Sequence, residues 1–121
     1  MSALGDLVGE VRGSIEGASL ALLLGLDGMV VACSGEAEPP SSWDLLAAHS
    51  AEVLRTVREA SRETRREPPA EVVIAAPSGT MLLRALARQH ALLVLLPAGA
   101  ILGKARYEAR RAAERLLPEL D

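Results

Sequence analysis

Ala18–Cys33, ASLALLLGLDGMVVAC, is the stretch whose reading decides the fold. Two apolar runs, Ala18–Leu24 and Met29–Cys33, flank Leu26-Asp27-Gly28. Asp-Gly between apolar runs is a strong short-range hairpin signal. A type I′ turn requires positive φ at both central residues, and glycine adopts it without steric cost. The expectation is a central hairpin of this type in a sheet covered by the remaining elements, with Leu26 open to strand or turn.

Before the hairpin, Leu4, Leu7, Val8, Val11 and Ile15 share one face of a helix. Gly5, Gly9, Gly13 and Gly17 recur every fourth residue, a small-residue stripe expected to pack closely on a neighbouring helix. After the hairpin, Ser34–Ser42 (SGEAEPPSS) reads as a loop in which Pro39-Pro40 stops any strand. Ser41 or Ser42 then caps a helix with Asp44 in its first turn. That helix, Ser42–Glu67, is the longest element, and Leu46, Ser50, Val53, Val57, Ala60 and Thr64 form its buried stripe. Its charges separate by sign: Arg55, Arg58, Arg62, Arg65 and Arg66 occupy one flank, and Glu52, Glu59, Glu63 and Glu67 the next. Glu59–Arg62 and Glu63–Arg66 are i, i+3 neighbours worth roughly 0.2–0.5 kcal/mol each. That is too little to account for the segregation, so a solvated face and a basic stripe turned to an acidic protein partner both remain open.

Pro68-Pro69 ends the helix, and Glu71–Ala76 (EVVIAA) is the third strand. Pro77-Ser78-Gly79 is a turn, Thr80–Ala87 a fourth strand whose Leu and Ala also suit a helix, and Arg88-Gln89-His90 a tight reversal. Ala91–Leu96 (ALLVLL) is wholly apolar and reads as the central strand. The last helix, Ala100–Leu117, turns Ile101, Leu102, Ala105, Ala109, Ala112, Ala113 and Leu116 inward and is closed by Pro118. The order is α-β-β-α-β-β-β-α. Short turns between strands make the sheet antiparallel, in an α/β fold of the α+β type with helices on its faces.

The 121 residues allow one domain with a real core. Half are hydrophobic, yet there is no Phe, one Trp and one Tyr, so the core is built from Leu, Val, Ile and Ala. A mean hydropathy of +0.22 argues against disorder, and fits either an Ala- and Leu-rich core or apolar surface kept for a partner. A net charge of −3 gives no footprint for nucleic acid. Cys33 stands alone, so no intrachain disulfide forms and a small buried hydrophobe is its default role. The N-terminus has no basic region followed by an apolar one, and the longest apolar run, Ala91–Gly103, is broken by Pro97 and falls short of the ~20 residues a membrane span needs. The chain therefore reads as cytoplasmic.

No catalytic constellation stands out. Gly99-Ala100-Ile101-Leu102-Gly103-Lys104 follows a strand and opens a helix as a phosphate-binding loop would, but it is one residue short and Ala105 replaces the metal-binding hydroxyl. His49 and His90 have no Cys or carboxylate at metal-ligand spacing. No cofactor or metal is expected, and a binding module is favoured over an enzyme.

Taken together, Gly17–Gly35 (GASLALLLGLDGMVVACSG), a long helix, a three-strand meander and the closing Leu92–Leu120 segment resemble the Roadblock/dynein light-chain domain family, particularly its bacterial gliding-motility MglB type. Asp27–Ala32 (DGMVVA), and Leu102-Gly103 leading a basic, Ala-rich helix with Arg106 and Arg110, carry the likeness, which spans about Leu4–Leu120. The resemblance implies a five-stranded antiparallel sheet with the long helix on one face and both terminal helices on the other. It also implies a homodimer through the long helix and the edge strand after it. Leu46, Ser50, Val53, Val57, Ala60, Val72, Val73 and Ile74 would form that dimer contact. Arg55, Arg58, Arg62 and Arg65 would face a bacterial Ras-like small GTPase of the MglA type, whose nucleotide hydrolysis or exchange the protein regulates without being an enzyme. A dimeric scaffold for other proteins is the alternative.

Overall fold

The computed structural model describes residues 3–35 and 40–120, with side chains from Ser42 onward in the second segment. The elements are α1 (Ala3–Ser14), β1 (Leu20–Gly25), β2 (Val30–Gly35), α2 (Pro40–Glu63), β3 (Glu71–Ala76), β4 (Gly79–Leu86), β5 (His90–Pro97) and α3 (Leu102–Leu116), which runs into a 3-10 turn over Leu117–Glu119. All strand pairs are antiparallel and the sheet order is β2-β1-β5-β4-β3. The expected element order holds, and β5 is the central strand.

The unbroken apolar runs of β1 and β5 follow from burial on both faces. Leu20, Leu22 and Leu24 of β1 and Ala91 and Leu93 of β5 pack toward α2. Ala21, Leu23, Leu92, Val94 and Leu96 point the other way, against Val8 and Val11 of α1 and Ala105, Ala109, Ala112 and Leu116 of α3. A strand with helices on both sides has no polar face to alternate with. Small alanines along α3 let its backbone sit close to the sheet, and the leucines opposite fill the space.

The first hairpin corrects the expected turn type. Gly28 donates its amide to Gly25 O at 2.9 Å, and Gly25 donates to Met29 O at 2.9 Å, so Leu26-Asp27-Gly28 is a three-residue loop with Leu26 in the turn. Only Gly28 has positive φ, at +90°, whereas a type I′ turn needs two such residues. This is a type I turn followed by a left-handed glycine. Asp27 favours it by accepting the Met29 amide at 3.1 Å. A register shift at Leu23/Leu24 sets Val31 out of the pairing, a bulge beside the turn.

Three further expectations change. The glycine stripe of α1 does not meet a helix: the nearest side-chain atom to Gly9 is Ser34 Oγ of β2, and Arg12 Nε donates to that same hydroxyl at 2.9 Å. At the start of α2, helix begins at Pro40, a suitable first-turn residue because proline lacks the amide that would be unpaired there. Ser42 thus lies inside the first turn rather than capping it, while residues 36–39 of the expected loop lie outside the described residues. At its other end α2 stops at Glu63, four residues before the expected end at Glu67. Arg65 N donates to Arg62 O at 3.2 Å and Arg66 N to Ser61 O at 2.7 Å, with Arg65 left-handed at φ +58°. This pairing terminates the helix before Pro68-Pro69 can act.

Glycine is the usual residue at that left-handed position, and a side chain there costs about 1 kcal/mol. Arg65→Gly should therefore raise stability by about 0.5–1 kcal/mol, measured as a higher midpoint in urea unfolding with an unchanged slope.

Candidate functional site

α2 covers its face of the sheet only in part, lying over β1 and β2. Its sheet-facing residues are Ala47, Ala51 and Leu54, all fully buried, so the inward stripe sits one flank away from the expected one. Of the residues expected at a dimer contact, Ser50 is buried, Leu46, Val53 and Val57 are half-buried, and Ala60 is exposed beyond the packed region, as is Thr64 of the expected buried stripe. Leu46 and Ser50 meet Met81 of β4 in an apolar cavity of about 270 Å³, completed by Ser42, Leu45 and His49. Val72 packs on the same cluster. β3 is an edge strand, and on it Val73 and Ile74 are 37% and 38% exposed. Val73 pairs with Leu82, whose side chain belongs to the α1/α3 side, so Val73 lies on the opposite sheet face from the α2 strip.

The chain thus presents one continuous apolar strip along the α2 flank, over Met81, to the free edge of β3. Leu45, 62% exposed, and Met81 belong to it, although neither stood out in the sequence. Two buried polar atoms on this side have no hydrogen-bond partner in the chain: Ser50 Oγ and Trp43 Nε1. A buried hydroxyl or indole N–H without a partner is uncommon in a finished interior.

The four arginines proposed as partner contacts divide. Arg55 donates to Leu26 O in the β1–β2 turn. Arg58 donates to Arg88 O at 3.0 Å and to Ala87 O at 3.2 Å in the β4–β5 turn. Leu26 N donates to Gln89 O at 2.8 Å, so the two turns are also tied to each other. Ala87 is left-handed at φ +55°, and the carbonyl that Arg58 grips is its own. Arg55 and Arg58 therefore hold sheet turns against α2. Arg62 and Arg65 are exposed. Arg62 joins Arg58, Arg66 and Arg88 around a cleft of about 510 Å³ with Pro68 and Pro69 in its wall and no carboxylate lining it. Among the described residues no ion pair forms on α2, so Glu59–Arg62 and Glu63–Arg66 are not closed. Arg58→Ala should destabilise the fold by about 1 kcal/mol. Hydrogen–deuterium exchange should show faster opening at Ala87–Gln89 than elsewhere.

Cys33 is half-buried against the α2-side cluster, and burial raises its thiol pKa to about 11, outweighing the nearby Arg12 charge. The raised value favours the folded state while the thiol is neutral, and this contribution fades as pH rises from the ordinary value near 9 through about 11. Iodoacetamide should accordingly label Cys33 in the native protein far more slowly at pH 8 than in urea, as followed by intact mass.

Among the described residues, no group of three His, Cys, Asp or Glu side chains could hold a metal ion, and no helix is long and apolar enough to cross a membrane. Both histidines lack a Cys or carboxylate cluster, and the Gly99–Lys104 segment forms the approach and first turn of α3.

No protein-family model matches the sequence, and no curated protein matches it. Solved structures do. MglB of Myxococcus xanthus superposes with a TM-score of 0.89 at 12% identity, covering 98% of this chain and 95% of that one. A Roadblock/LC7 domain from Streptomyces avermitilis superposes at 0.88 with 24% identity, covering 98% of each chain. An MglB described with a tetrameric arrangement superposes at 0.85 with 22% identity, covering 98% of this chain and 90% of that one. The fold is that of Roadblock/LC7 and MglB structures over nearly the whole chain.

Proposed function

We propose that this chain is a non-enzymatic, homodimeric regulator or scaffold for a bacterial Ras-like small GTPase. The observation that carries this reading is the apolar strip joining the uncovered flank of α2 to the free edge of β3. An exposed apolar edge strand is an aggregation hazard unless something pairs with it. A second copy related by a two-fold axis would pair β3 with β3 and lay α2 beside α2, so Leu46, Ser50, Val53, Val57, Val72 and Ile74 would be buried by their own counterparts. The self-assembly named for one MglB neighbour supports the same expectation.

The arginine cleft at the end of α2 supplies the partner contact. Arg62, Arg66 and Arg88 are exposed there without carboxylates, which suits an acidic protein surface and would steer its approach. Arg55 and Arg58 support the turns behind this surface, and Arg65 lies at its margin. The geometry asks for no chemistry from this chain: its role is to hold and bias a partner that performs its own hydrolysis.

Sedimentation should show a dimer, and Ile74→Lys, which would bury a charge in the joint, should weaken it by at least about a hundredfold. A monomer at all accessible concentrations sinks the assembly. Pull-downs from source cells with a non-hydrolysable GTP analogue and with GDP should recover a small GTPase, lost on the paired replacement Arg62→Glu and Arg66→Glu with unchanged circular dichroism. Recovery of other proteins and no GTPase would instead establish the scaffold alternative.

A further inference from the structure

On the sheet face opposite α2, where the start of β3 meets α3, lies a cavity of about 230 Å³ lined by Glu71, Arg84, Gly103, Arg106, Tyr107 and Arg110. Three guanidinium groups and one carboxylate make its walls, leaving an excess of two positive charges. Glu71 is committed inward, with Oε2 3.5 Å from Arg84 Nη1 and Oε1 bonded to Arg106. The carboxylate is therefore spent on holding two arginines in place.

Arg84 is the unusual member. Its side chain is only 20% exposed, its one ion pair is long, and its Nε is buried with no acceptor. A guanidinium has five N–H donors, and burying one with so little compensation is costly unless another acceptor arrives. Arg110 opens onto the same cavity, stacked 5.7 Å from the Tyr107 ring centroid, and has no carboxylate partner among the described residues. Arg106 and Arg110 are one helical turn apart, so their charges converge from α3 while Arg84 rises from the sheet beneath. The first turn of α3 adds Gly103 to the wall, with open space around it, and contains no acidic residue that would compete.

We infer that this cavity binds a phosphate-class oxyanion, either free phosphate or the phosphoryl group of a monoester. A phosphate dianion matches the excess charge, offers acceptors on several sides, and fits planar guanidinium donors. The ligand neutralises the under-paired Arg84 and draws Arg110 into the site. The inference does not depend on the GTPase reading, which concerns the α2 side and the far end of that helix.

The test is titration of the isotopically labelled protein at constant ionic strength, followed by amide shifts, with inorganic phosphate in one arm and phosphoethanolamine in the other. Saturable shifts centred on Gly103, Arg106 and Arg110 are expected in at least one arm. A response to the monoester alone assigns the site to a phosphorylated molecule, and a response to phosphate alone to the free ion. Arg110→Gln should weaken binding about tenfold, while Arg111→Gln, the same charge change on the same helix but outside the cavity, should change it by less than about twofold. Absence of saturable shifts in both arms, or equal weakening by both variants, overturns the site. Arg110 is exposed and unpaired, so its replacement leaves the fold intact, as the unperturbed remainder of the spectrum would verify.

Discussion

A sheet that is apolar on both faces must be covered twice, and this chain has three helices to do it. Each fully buried leucine of β1 and β5 contributes roughly 1.5–3 kcal/mol relative to exposure, so neither face can be left wet. α1 and α3 together close one side. α2 alone faces the other and sits over β1 and β2. The remaining half, from Met81 across Val72 to Ile74, is the part of the core that one chain cannot finish. The strip, the open edge strand and the unpartnered Ser50 hydroxyl are three views of that shortfall.

Charge then takes up tasks that aromatic packing often performs. With no phenylalanine available, the sheet's turns are held by arginines reaching across from α2, and the start of β3 is tied to α3 through Glu71. Lys104 and Glu16 join the loop after α1 to α3 at 2.9 Å, and their hydrogen bond lowers the Glu16 pKa and raises that of Lys104. Arg115 and Glu10 do the same between α3 and α1 at 3.0 Å. These exposed bridges add little stability singly, but they fix the angle at which the two helices meet the sheet.

Much of the architecture was legible because the signals were local. Asp27-Gly28 between apolar runs marks a hairpin, and Glu71–Ala76 matches β3 residue for residue. Turn type was not legible, since the Asp27 side-chain bond and the second turn docked on Leu26 decide it. The inward stripe of α2 was misplaced because the helix is apolar over more than one flank, and only the sheet beneath shows that Ala47, Ala51 and Leu54 face inward while Leu46 and Val53 border the open strip. The arginines could not be sorted from a helical wheel either. Arg55 and Arg58 point the same way as Arg62, but carbonyls from two distant turns await them. Arg84 gave no signal in the sequence, because its significance lies in being buried between a strand and a helix far from it in the chain.

The scarcity of aromatic residues leaves each face of the sheet with its own optical label. Trp43, the only tryptophan, packs on the α2-side cluster with its indole N–H buried and unpaired. Tyr107, the only tyrosine, is half-exposed on α3 beside the arginine cavity. Tryptophan emission selectively excited at the red edge therefore reports on the α2 side, and tyrosine absorbance on the α3 side. Events on the two faces of this molecule can be told apart in an unlabelled solution.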